Sequence, residues 1–301
     1  MPSAFGTVGL IGKYNSPEIA APLLRLGAFL SARGVRVIVD RLAGEHITGS
    51  PYPVFNLEDI GREADLAVVL GGDGTMLNIA RTFAPHDVAL VGVNQGRLGF
   101  LTDISTDTMF DTIGAILDGK FVTEERMLLE AQIVAAGVTG ESVLAFNDVV
   151  IGKGQRGNMI EFEIRIDGHS IADMRADGLI LATPTGSTAY ALSAGGPIVH
   201  PSLSAIALVP VCPHTLSNRP LMVPSDSLIE IVMTEVADAR AHFDSHAHLD
   251  VRDGDCVRVR RYGHTIRLLH PVGHSYYAML REKLGWSGSF QAARRDNGPI
   301  S

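Results

Sequence analysis

Residues 64–77 restrict the fold of this chain more than any other segment. A continuous apolar run at residues 66–70 is too short for a buried helix and leads directly into Gly71-Gly72-Asp73-Gly74. From Thr75 onward the apolar residues follow a helical spacing. A strand, a glycine loop and a helix in this order direct backbone N–H groups and a helix N-terminus toward an anion. The segment therefore predicts an α/β unit that binds phosphate.

Asp73 lies inside this loop, where its charge would repel a bare phosphate, so it predicts a chemical role. A carboxylate in this place either holds Mg²⁺ or takes a proton from an attacking hydroxyl. A plain Asp-Gly turn is the alternative, since this pair is common in hairpins. The helical spacing after Gly74 argues against a hairpin.

The first part of the chain alternates between strand and helix patterns. Short apolar strands are predicted at residues 7–11, 35–39, 65–70 and 88–93, with a helix that has an apolar stripe before the second. This order predicts an α/β N-terminal domain over residues 1–121, with a parallel Rossmann-like sheet and helices on both faces. The glycines of the first strand do not have the G-x-G-x-x-G spacing, which argues against a hydride-transfer enzyme.

The second part of the chain has the alternating pattern of half-buried strands. Polar and apolar residues alternate at 129–134, 160–166 and 257–261, with Asp-Gly turns between such segments. This pattern predicts a β-rich C-terminal domain of antiparallel strands, a sandwich or layered structure, over residues 122–271. Helical spacing returns at 276–284, and we expect the segment 272–301 to pack back on the N-terminal domain.

Composition limits the partners and the compartment. The formal net charge is −8, which argues against a nucleic-acid partner or an anionic membrane surface. Two cysteines far apart in the sequence do not suggest a disulfide framework. No basic flank with a long apolar stretch precedes the first strand, and no apolar run is long enough to span a bilayer. These features predict a cytoplasmic protein.

Two further segments place polar residues at strand ends. Asn94 begins a loop with Gly96 and Gly99 after a predicted strand, where ligands bind in open α/β sheets, although a plain turn would have the same glycines. Asn147 and Asp148 lie side by side in an apolar strand. Either both are solvated at an edge, or they form a pair of acceptors for ribose hydroxyls or an amide.

The segment 175–193 predicts a ligand loop. An apolar strand ends at Thr183-Pro184 and is followed by small hydroxyl residues and a helix start at Ser187 or Thr188. Small residues let a ligand approach the backbone, while hydroxyls and N–H groups donate to it. Tyr190 could place its ring against a planar base. Ordinary N-capping explains one such hydroxyl but not five.

Closely spaced histidines at the end of the second part suggest a different chemistry. Alternation along one strand would put His242, Asp244, His246 and His248 on one face, as in a metal site. The surroundings contain no metallohydrolase motif, so we predict no metal ligands from this chain.

Taken together, these segments resemble the bacterial NAD kinases, which phosphorylate the adenosine ribose 2′-hydroxyl of NAD⁺ to give NADP⁺. The resemblance rests on the four motifs Gly71-Gly72-Asp73-Gly74-Thr75, Asn94-x-Gly96-x-Leu98-Gly99-Phe100-Leu101, Asn147-Asp148, and Asp177-Gly178 with the hydroxyl-rich loop at 183–190. The first motif alone also occurs in phosphofructokinases and lipid kinases. The resemblance implies ATP or another phosphoryl donor, Mg²⁺ or another divalent cation, and a homodimer or homotetramer.

The resemblance also implies roles for individual residues. Asp73 would be the general base and Gly74 part of the ligand loop, while Asn147 and Asp148 would bind the adenosine side of the dinucleotide. Arg175 matches a basic position associated with preference for NAD⁺ over NADH, in reach of a neighbouring subunit. The remaining dinucleotide-binding positions would be Asn158, Asp177, Thr185, Thr188, Ala189, Tyr190, Ala191, Leu192, Ser193, Cys212 and His246.

The sequence departs from the family pattern in two motifs. Asp148 stands where the family usually has Glu, and Asp244-Ser245-His246 stands where it has Asp-Gly-Gln. Two other functions are compatible with the first motif. One is a kinase that acts on a sugar phosphate or a lipid, and the other is a dinucleotide-binding regulator without catalysis.

Overall fold

The computed structural model describes residues 3–13, 16–44, 50–96, 98–154, 157–215 and 217–286. Residues 287–301 of the predicted C-terminal segment lie outside the described residues. The elements of the first part are β1 (Thr7–Gly12), α1 (Ala20–Ala32), β2 (Arg36–Asp40), α2 (Arg41–Gly44), β3 (Val54–Phe55), α3 (Leu57–Glu63), β4 (Leu66–Leu70), α4 (Asp73–Phe83), β5 (Ala89–Asn94), β6 (Ile104–Ser105) and α5 (Met109–Leu117).

The elements of the second part are mostly strands. They are β7 (Phe121–Ala135), β8 (Val138–Thr139), β9 (Val143–Ala145), β10 (Asp148–Lys153), β11 (Ile160–Ile166), β12 (His169–Ala176), β13 (Gly178–Ala182), α6 (Tyr190–Ser193), β14 (Ala205–Val211), β15 (Leu221–Pro224), β16 (Ile229–Glu235), β17 (Ala239–Phe243), β18 (Ala247–Val251), β19 (Cys256–Pro271) and α7 (Tyr276–Lys283). Single 3₁₀ turns lie at Pro17–Ile19 and Gly186–Thr188.

The predicted α/β domain with a parallel sheet is confirmed. Its strands lie in the order β3-β2-β1-β4-β5, and every neighbouring pair is parallel. Successive strand residues enter opposite cores, so Val68 packs with α1 and α5 on one face and Val69 packs with α3 and α4 on the other. The order reverses between β1 and β4, and ligands bind beyond the carboxyl ends of the strands at such a point.

The β-rich second part is also confirmed, and it consists of two sheets packed face to face. A six-stranded sheet has the order β15-β14-β13-β10-β17-β18. The other layer contains β12, β11, β16, β19 and β7. Apolar side chains of both layers, such as Phe162 and Phe243, form one continuous core.

One strand joins the two parts, which the sequence patterns do not predict. The long strand β19 pairs antiparallel with β7, and Arg267 and Leu268 near its end pair in parallel with Ala89 and Leu90 of β5. The sheet therefore continues from the α/β part into the β-rich part. After β19, helix α7 contacts both parts: Lys283 Nζ lies 6.0 Å from the centre of the Phe100 ring, and the Tyr276 hydroxyl lies 3.5 Å from the Val199 carbonyl oxygen.

Candidate functional site

Asp73 is the first residue of α4, two residues earlier than the helix start predicted at Thr75. Gly72 is extended and occupies the N-cap position, so Asp73 already has helical geometry. Its carboxylate accepts hydrogen bonds from the N–H of Phe100 at 2.8 Å, the N–H of Leu101 at 3.0 Å and the hydroxyl of Thr102 at 3.3 Å. The carboxylate is therefore held at the rim of the sheet by the loop that follows β5.

Gly99 explains why the two glycine motifs meet. A Cβ at this position would overlap the carboxylate of Asp73 and the hydroxyl of Thr102. The missing side chain lets the loop after β5 close around the start of α4. The prediction that the second glycine segment lies at the carboxyl edge of the sheet is confirmed, and its role there is to fix Asp73.

A cleft of about 520 Å³ opens beside the glycine loop. It lies where the strand order reverses, between the carboxyl ends of β1 and β4. Lys13 follows β1, Asp40 ends β2, and Gly74 with Asn78 belongs to the first two turns of α4. The first N–H groups of a helix have no partner within it, so the start of α4 presents donors to this cleft.

Asp148 is buried, whereas Asn147 is partly exposed. The alternative in which both residues are solvated at an edge is therefore wrong. Burial, followed by the negative charge of Asp244, raises the pKa of Asp148 to about 7. Asp148 is therefore an acid that changes its charge near neutral pH.

Asp244 holds this segment in place. Its side chain is fully buried and accepts hydrogen bonds from the N–H groups of Phe146, Asn147 and Asp148 at 2.7–3.0 Å. It also forms an ion pair of 2.6 Å with Arg81 of α4. Arg81 therefore connects the helix that begins with Asp73 to the turn that carries Asn147.

The hypothesis of one strand with four metal-type ligands on one face is wrong. Asp244 and Ser245 both have a positive φ and form the tight turn between β17 and β18. His242 and His248 face each other across this hairpin, with ring centres 5.7 Å apart, while Asp244 points inward to Arg81.

His246 follows the same turn. Its Nδ1 lies 2.6 Å from the carbonyl oxygen of Phe243, a distance at which Nδ1–H donates to that oxygen. Partial burial of the ring and the positive charge of Arg81 lower the pKa of His246. The neutral ring then has Nε2 as an acceptor, whereas the amide at the matching family position can both donate and accept.

The hydroxyl-rich loop packs directly on Asn147. A Cβ at Gly186 would overlap the carbonyl group of Asn147, and the Thr183 hydroxyl donates to the Phe146 carbonyl at 2.7 Å. The Ser187 hydroxyl is also used inside the protein, since it donates to the Pro184 carbonyl oxygen at 2.6 Å. The Thr188 hydroxyl donates to the Thr185 carbonyl oxygen at 3.2 Å, so three of the five hydroxyls donate to backbone carbonyls of the protein, while Ser193 is exposed.

Asp177 and Tyr190 line a second cleft of about 370 Å³. Lys153 Nζ lies 2.8 Å from the Asp177 carboxylate. His242 and Ser245 also line this cleft. Ser245 directly follows Asp244, which accepts a hydrogen bond from the Asn147 N–H. The tight turn between β17 and β18 therefore contributes both to the wall of this cleft and to the position of Asn147. The Tyr190 side chain is exposed and free to contact a planar ring.

Comparison with known proteins identifies the family. The family model of the ATP-NAD kinase N-terminal domain matches residues 8–121, and that of the C-terminal domain matches residues 146–270. The chain belongs to the ATP-NAD kinase family. Among its relatives, the NAD kinase of Nitrosospira multiformis is 58% identical over 96% of this chain and 98% of its own length. That of Nitrosomonas europaea is 54% identical over 97% and 98%.

Two solved structures have the same fold. Yeast NADH kinase complexed with NADH has a TM-score of 0.87 and 28% identity, covering 96% of this chain and 90% of that one. An NAD kinase from Archaeoglobus fulgidus in complex with ATP has a TM-score of 0.72 and 25% identity, covering 93% and 98%. In the described part of this chain, every helix is too short or too polar to span a membrane.

The other expected positions of the ATP-NAD kinase resemblance have different environments. Ala191 is fully buried among apolar side chains, so it presents backbone alone, while Ala189 and Leu192 are partly exposed. Asn158 is exposed before β11, and Cys212 directly follows Val211 of the second cleft. Arg175 extends from β12 with Glu161 3.5 Å away.

The sequence analysis missed a buried group of charged residues between the two parts, which we call the junction cluster. His270 Nδ1 and His274 Nδ1 each lie 2.8 Å from Asp103 Oδ2. His270 Nε2 lies 3.2 Å from Glu124, which pairs with Arg126 at 2.7 Å. Glu124 and Arg126 lie two residues apart on β7 and therefore share one face of it, but the residues on either side of Glu124 are the exposed Thr123 and Glu125, so no local pattern indicated that they are buried.

Charge is balanced within the junction cluster. Burial alone would raise the pKa of Asp103 and of Glu124, but the histidines, and Arg126 for Glu124, outweigh it and lower both to about 2. Burial would lower the pKa of His270, but hydrogen bonds to Asp103 and Glu124 outweigh it and raise this pKa.

These shifts predict a pH-dependent effect of His270→Gln on stability. A histidine with a raised pKa stabilises the fold fully below its unfolded pKa of about 6.5 and loses this contribution as the pH rises through the folded value. The difference in thermal midpoint between the wild-type protein and the variant should therefore be largest at about pH 6. This difference should be smaller at about pH 9. The exposed His264 on the same strand supplies the control His264→Gln. A gap that is constant with pH would contradict the assignment of a charged His270.

Proposed function

We propose that this chain transfers a phosphoryl group from ATP to the adenosine ribose 2′-hydroxyl of NAD⁺, and that Asp73 takes the proton from that hydroxyl. Membership of the ATP-NAD kinase family makes NAD phosphorylation the activity of the chain. The observation that carries the role of Asp73 is its place at the start of α4, beside the cleft and held by three donors of the loop after β5.

The cleft at the glycine loop is the proposed donor site. Phosphates of ATP would accept from the first N–H groups of α4, including that of Gly74, with Lys13 in reach of the same cleft. Phosphoryl transfer asks the protein for alignment and charge neutralisation more than for covalent chemistry. The start of α4 supplies both, since it presents fixed donors and carries Asp73.

The lining of this cleft fits a magnesium ion that arrives with the nucleotide. Mg²⁺ is usually held by one or two carboxylates together with substrate phosphates and waters. Asp40 is the carboxylate of the lining, while the Asn78 amide oxygen accepts from Arg81 at 3.3 Å and Asp73 is occupied by the loop after β5. When bound, the ion would neutralise the charge of the transferred group.

The acceptor site is proposed to extend from Asn147 and Asp148 to the second cleft. Asn147 and Asp148 would bind the adenosine side, and Asp177, Thr185 and residues 188–193 would bind the rest. His246 would accept a hydrogen bond at Nε2. Three contacts support this assignment. Asp244 accepts from the N–H groups of Asn147 and Asp148, and the neighbouring Ser245 lines the second cleft. Gly186 of the hydroxyl-rich loop packs against the carbonyl group of Asn147.

Proton transfer to Asp73 fits a loose transition state. A carboxylate is a weak base toward a ribose hydroxyl, whose acidity rises only as the bond to phosphorus forms. Asp73 would therefore accept the proton late. Its three hydrogen bonds leave one of about four lone-pair sites for the hydroxyl.

The raised pKa of Asp148 predicts that NAD⁺ binding depends on pH. Ribose hydroxyls and the adenine amino group donate hydrogen bonds, and ionised Asp148 accepts them with both oxygens. If the ionised form binds NAD⁺, the association constant should rise about tenfold from about pH 6 to about pH 8. Calorimetry without ATP measures this directly.

Asp148→Asn should remove most of this pH dependence, because the amide does not titrate. Asp250→Asn, at an exposed residue of β18 that pairs with Arg240, is the matched control and should keep it. An unchanged pH dependence in Asp148→Asn would remove Asp148 from the proposed site.

The proposed function is tested by following the formation of NADP⁺ and of NADPH with a cycling assay whose dehydrogenase is specific for this pair. The purified protein would receive Mg²⁺ with ATP, with polyphosphate or with no donor, on NAD⁺ and on NADH. We expect NADP⁺ with ATP and NAD⁺. Labelling of a sugar phosphate or diacylglycerol without NADP⁺ would favour the related kinases, and NAD⁺ binding without ADP release would favour a regulator.

We also propose a homodimer or homotetramer in the cytoplasm. Arg175 lies on β12, the outer strand of the large sheet, with an exposed side chain that would reach the nucleotide of a neighbouring subunit. Light scattering after size exclusion measures the subunit number. A monomer that retains preference for NAD⁺ would contradict this role of Arg175.

A further inference from the structure

The junction cluster connects the two loops to which the proposed function assigns catalysis and nucleotide binding. At one end, Asp103 directly follows Thr102, whose hydroxyl donates to Asp73. At the other end, Arg126 Nη1 donates to the hydroxyl of Thr185 at 3.0 Å. Between these ends, His270 contacts both Asp103 and Glu124, and Glu124 pairs with Arg126.

The stability of the fold does not by itself account for this arrangement. The side chains of Asp103, His270 and Arg126 are all less than a tenth exposed. Within the described residues, Asp103 Oδ1, Arg126 Nε, His270 Nε2 and His274 Nε2 are buried without a well-aligned hydrogen bond, although His270 Nε2 lies 3.2 Å from Glu124. Burying charges and leaving polar atoms unpaired costs free energy that an apolar contact would not.

The cluster does not have the geometry of a metal site, although its ligand atoms lie within 4.8 Å of one another. The rings of His270 and His274 are stacked, with centres 3.9 Å apart and planes inclined by 19°. Both Nδ1 atoms lie 2.8 Å from the same oxygen, Asp103 Oδ2, which is a hydrogen-bond distance and longer than a metal–nitrogen bond, so the carboxylate oxygen itself fills the space between the two rings. Two N–H donors to one carboxylate oxygen fit the arrangement.

We propose that Asp103 and Arg126 are positioning residues of the two loops and that His270 with Glu124 couples them across the junction. The inference rests on the proposed function. Asp103, held by two imidazoles, fixes the segment from Phe100 to Thr102 and with it the carboxylate of Asp73. Arg126, held by Glu124, fixes Thr185 in the nucleotide loop.

The two ends should therefore affect different kinetic constants. Asp73 acts on the hydroxyl in the transition state, so a loosened Asp103 end lowers kcat. Thr185 belongs to a loop that binds the dinucleotide before and during reaction, so a loosened Arg126 end raises KM for NAD⁺. A purely structural cluster would lower the apparent kcat in proportion to the fraction of folded protein and leave KM unchanged, so kcat is expressed per folded enzyme.

The experiment is steady-state kinetics of Asp103→Asn and Arg126→Met with NAD⁺ and ATP varied. We expect Asp103→Asn to lower kcat about tenfold or more and Arg126→Met to raise KM for NAD⁺ about tenfold, as for lost hydrogen bonds to charged groups. The other constant should change less than about threefold in each variant. The double variant should lose less than the product of the single effects, because both ends share His270.

Arg260→Gln is the matched control, since Arg260 and Glu130 form an exposed ion pair between the same two strands, β19 and β7. It should leave both constants within about twofold. Where Arg126→Met does not fold, Arg126→Lys keeps the charge but reaches only one of Glu124 and Thr185, and should still raise KM. Circular dichroism and thermal midpoints give the folded fraction.

The inference is overturned if both variants behave like Arg260→Gln, or if the folded fraction accounts for the whole loss of kcat in Asp103→Asn while KM for NAD⁺ is unchanged in Arg126→Met. These outcomes presuppose an active wild-type enzyme. A wild-type protein that forms no NADP⁺ would instead contradict the proposed function, so the two failures are distinguishable.

Discussion

Asp73→Asn should lose most of its turnover while it keeps much of its affinity for NAD⁺. The amide has the size of the carboxylate but cannot take a proton, and general bases contribute about 10²–10⁴ in rate. We therefore expect kcat to fall by about 10²–10⁴, with the dissociation constant of NAD⁺ within about threefold of the wild type. Single-turnover kinetics and calorimetry measure the two quantities.

In Asp73→Asn, the new amide nitrogen would face a backbone N–H donor, which could loosen the loop after β5. A control must therefore separate this loosening from the loss of the general base. Thr102→Val removes one hydrogen bond to Asp73, together with the one that Thr102 accepts from Asn94 at 3.1 Å, and leaves the carboxylate in place. It should lower kcat less than about tenfold, in line with one hydrogen bond. A kcat of Asp73→Asn near that of the wild type, or equal losses in both variants, would remove Asp73 from the base role.

Arg81→Met should destabilise the protein more than any surface substitution. The variant leaves the Asp244 carboxylate fully buried without its countercharge. Removing one partner of a buried ion pair costs about 3–5 kcal/mol, which in a chain of this size lowers the thermal midpoint by about 10 °C. NAD⁺ binding should weaken as well, because Asp244 holds the N–H groups of Asn147 and Asp148.

Two comparisons make this prediction specific. Arg36→Met breaks an exposed pair with Glu63 and should cost less than about 1 kcal/mol. Arg81→Met with Asp244→Asn removes both charges and should cost less than the sum of the single variants. If Arg81→Met is no less stable than Arg36→Met, then the ion pair between Arg81 and Asp244 does not stabilise the fold.

The start of α4 shows which features of the structure the local sequence pattern can predict. An apolar run followed by glycines and a helical spacing predicted the strand, the loop and the helix, because each depends on neighbours within a few residues. The first helical residue is Asp73 rather than Thr75, since the extended conformation of Gly72 begins the helix there. That geometry depends on packing against the loop after β5.

The turn at Asp244 shows where local pattern fails. The residues from His242 to His248 alternate as one strand would, and the turn has no glycine although Asp244 and Ser245 both have a positive φ. Asp is common at the first position of such a turn, but the second normally requires Gly, and here it is Ser245. Here Arg81 and three N–H groups from distant segments hold the Asp244 side chain and fix the turn.

The sequence by itself determined the α/β and β-rich parts, the parallel sheet, the four motifs and the family. All of these follow from periodicity and residue types at short range. Tertiary structure alone decided that Gly99 meets Asp73, that β19 carries the sheet from one part into the other, and that Arg81 and the junction cluster are buried ion pairs. These features join residues far apart in the chain, such as Asp103 and His270 at a separation of 167 positions, and whether a charge is buried depends on what the fold packs around it.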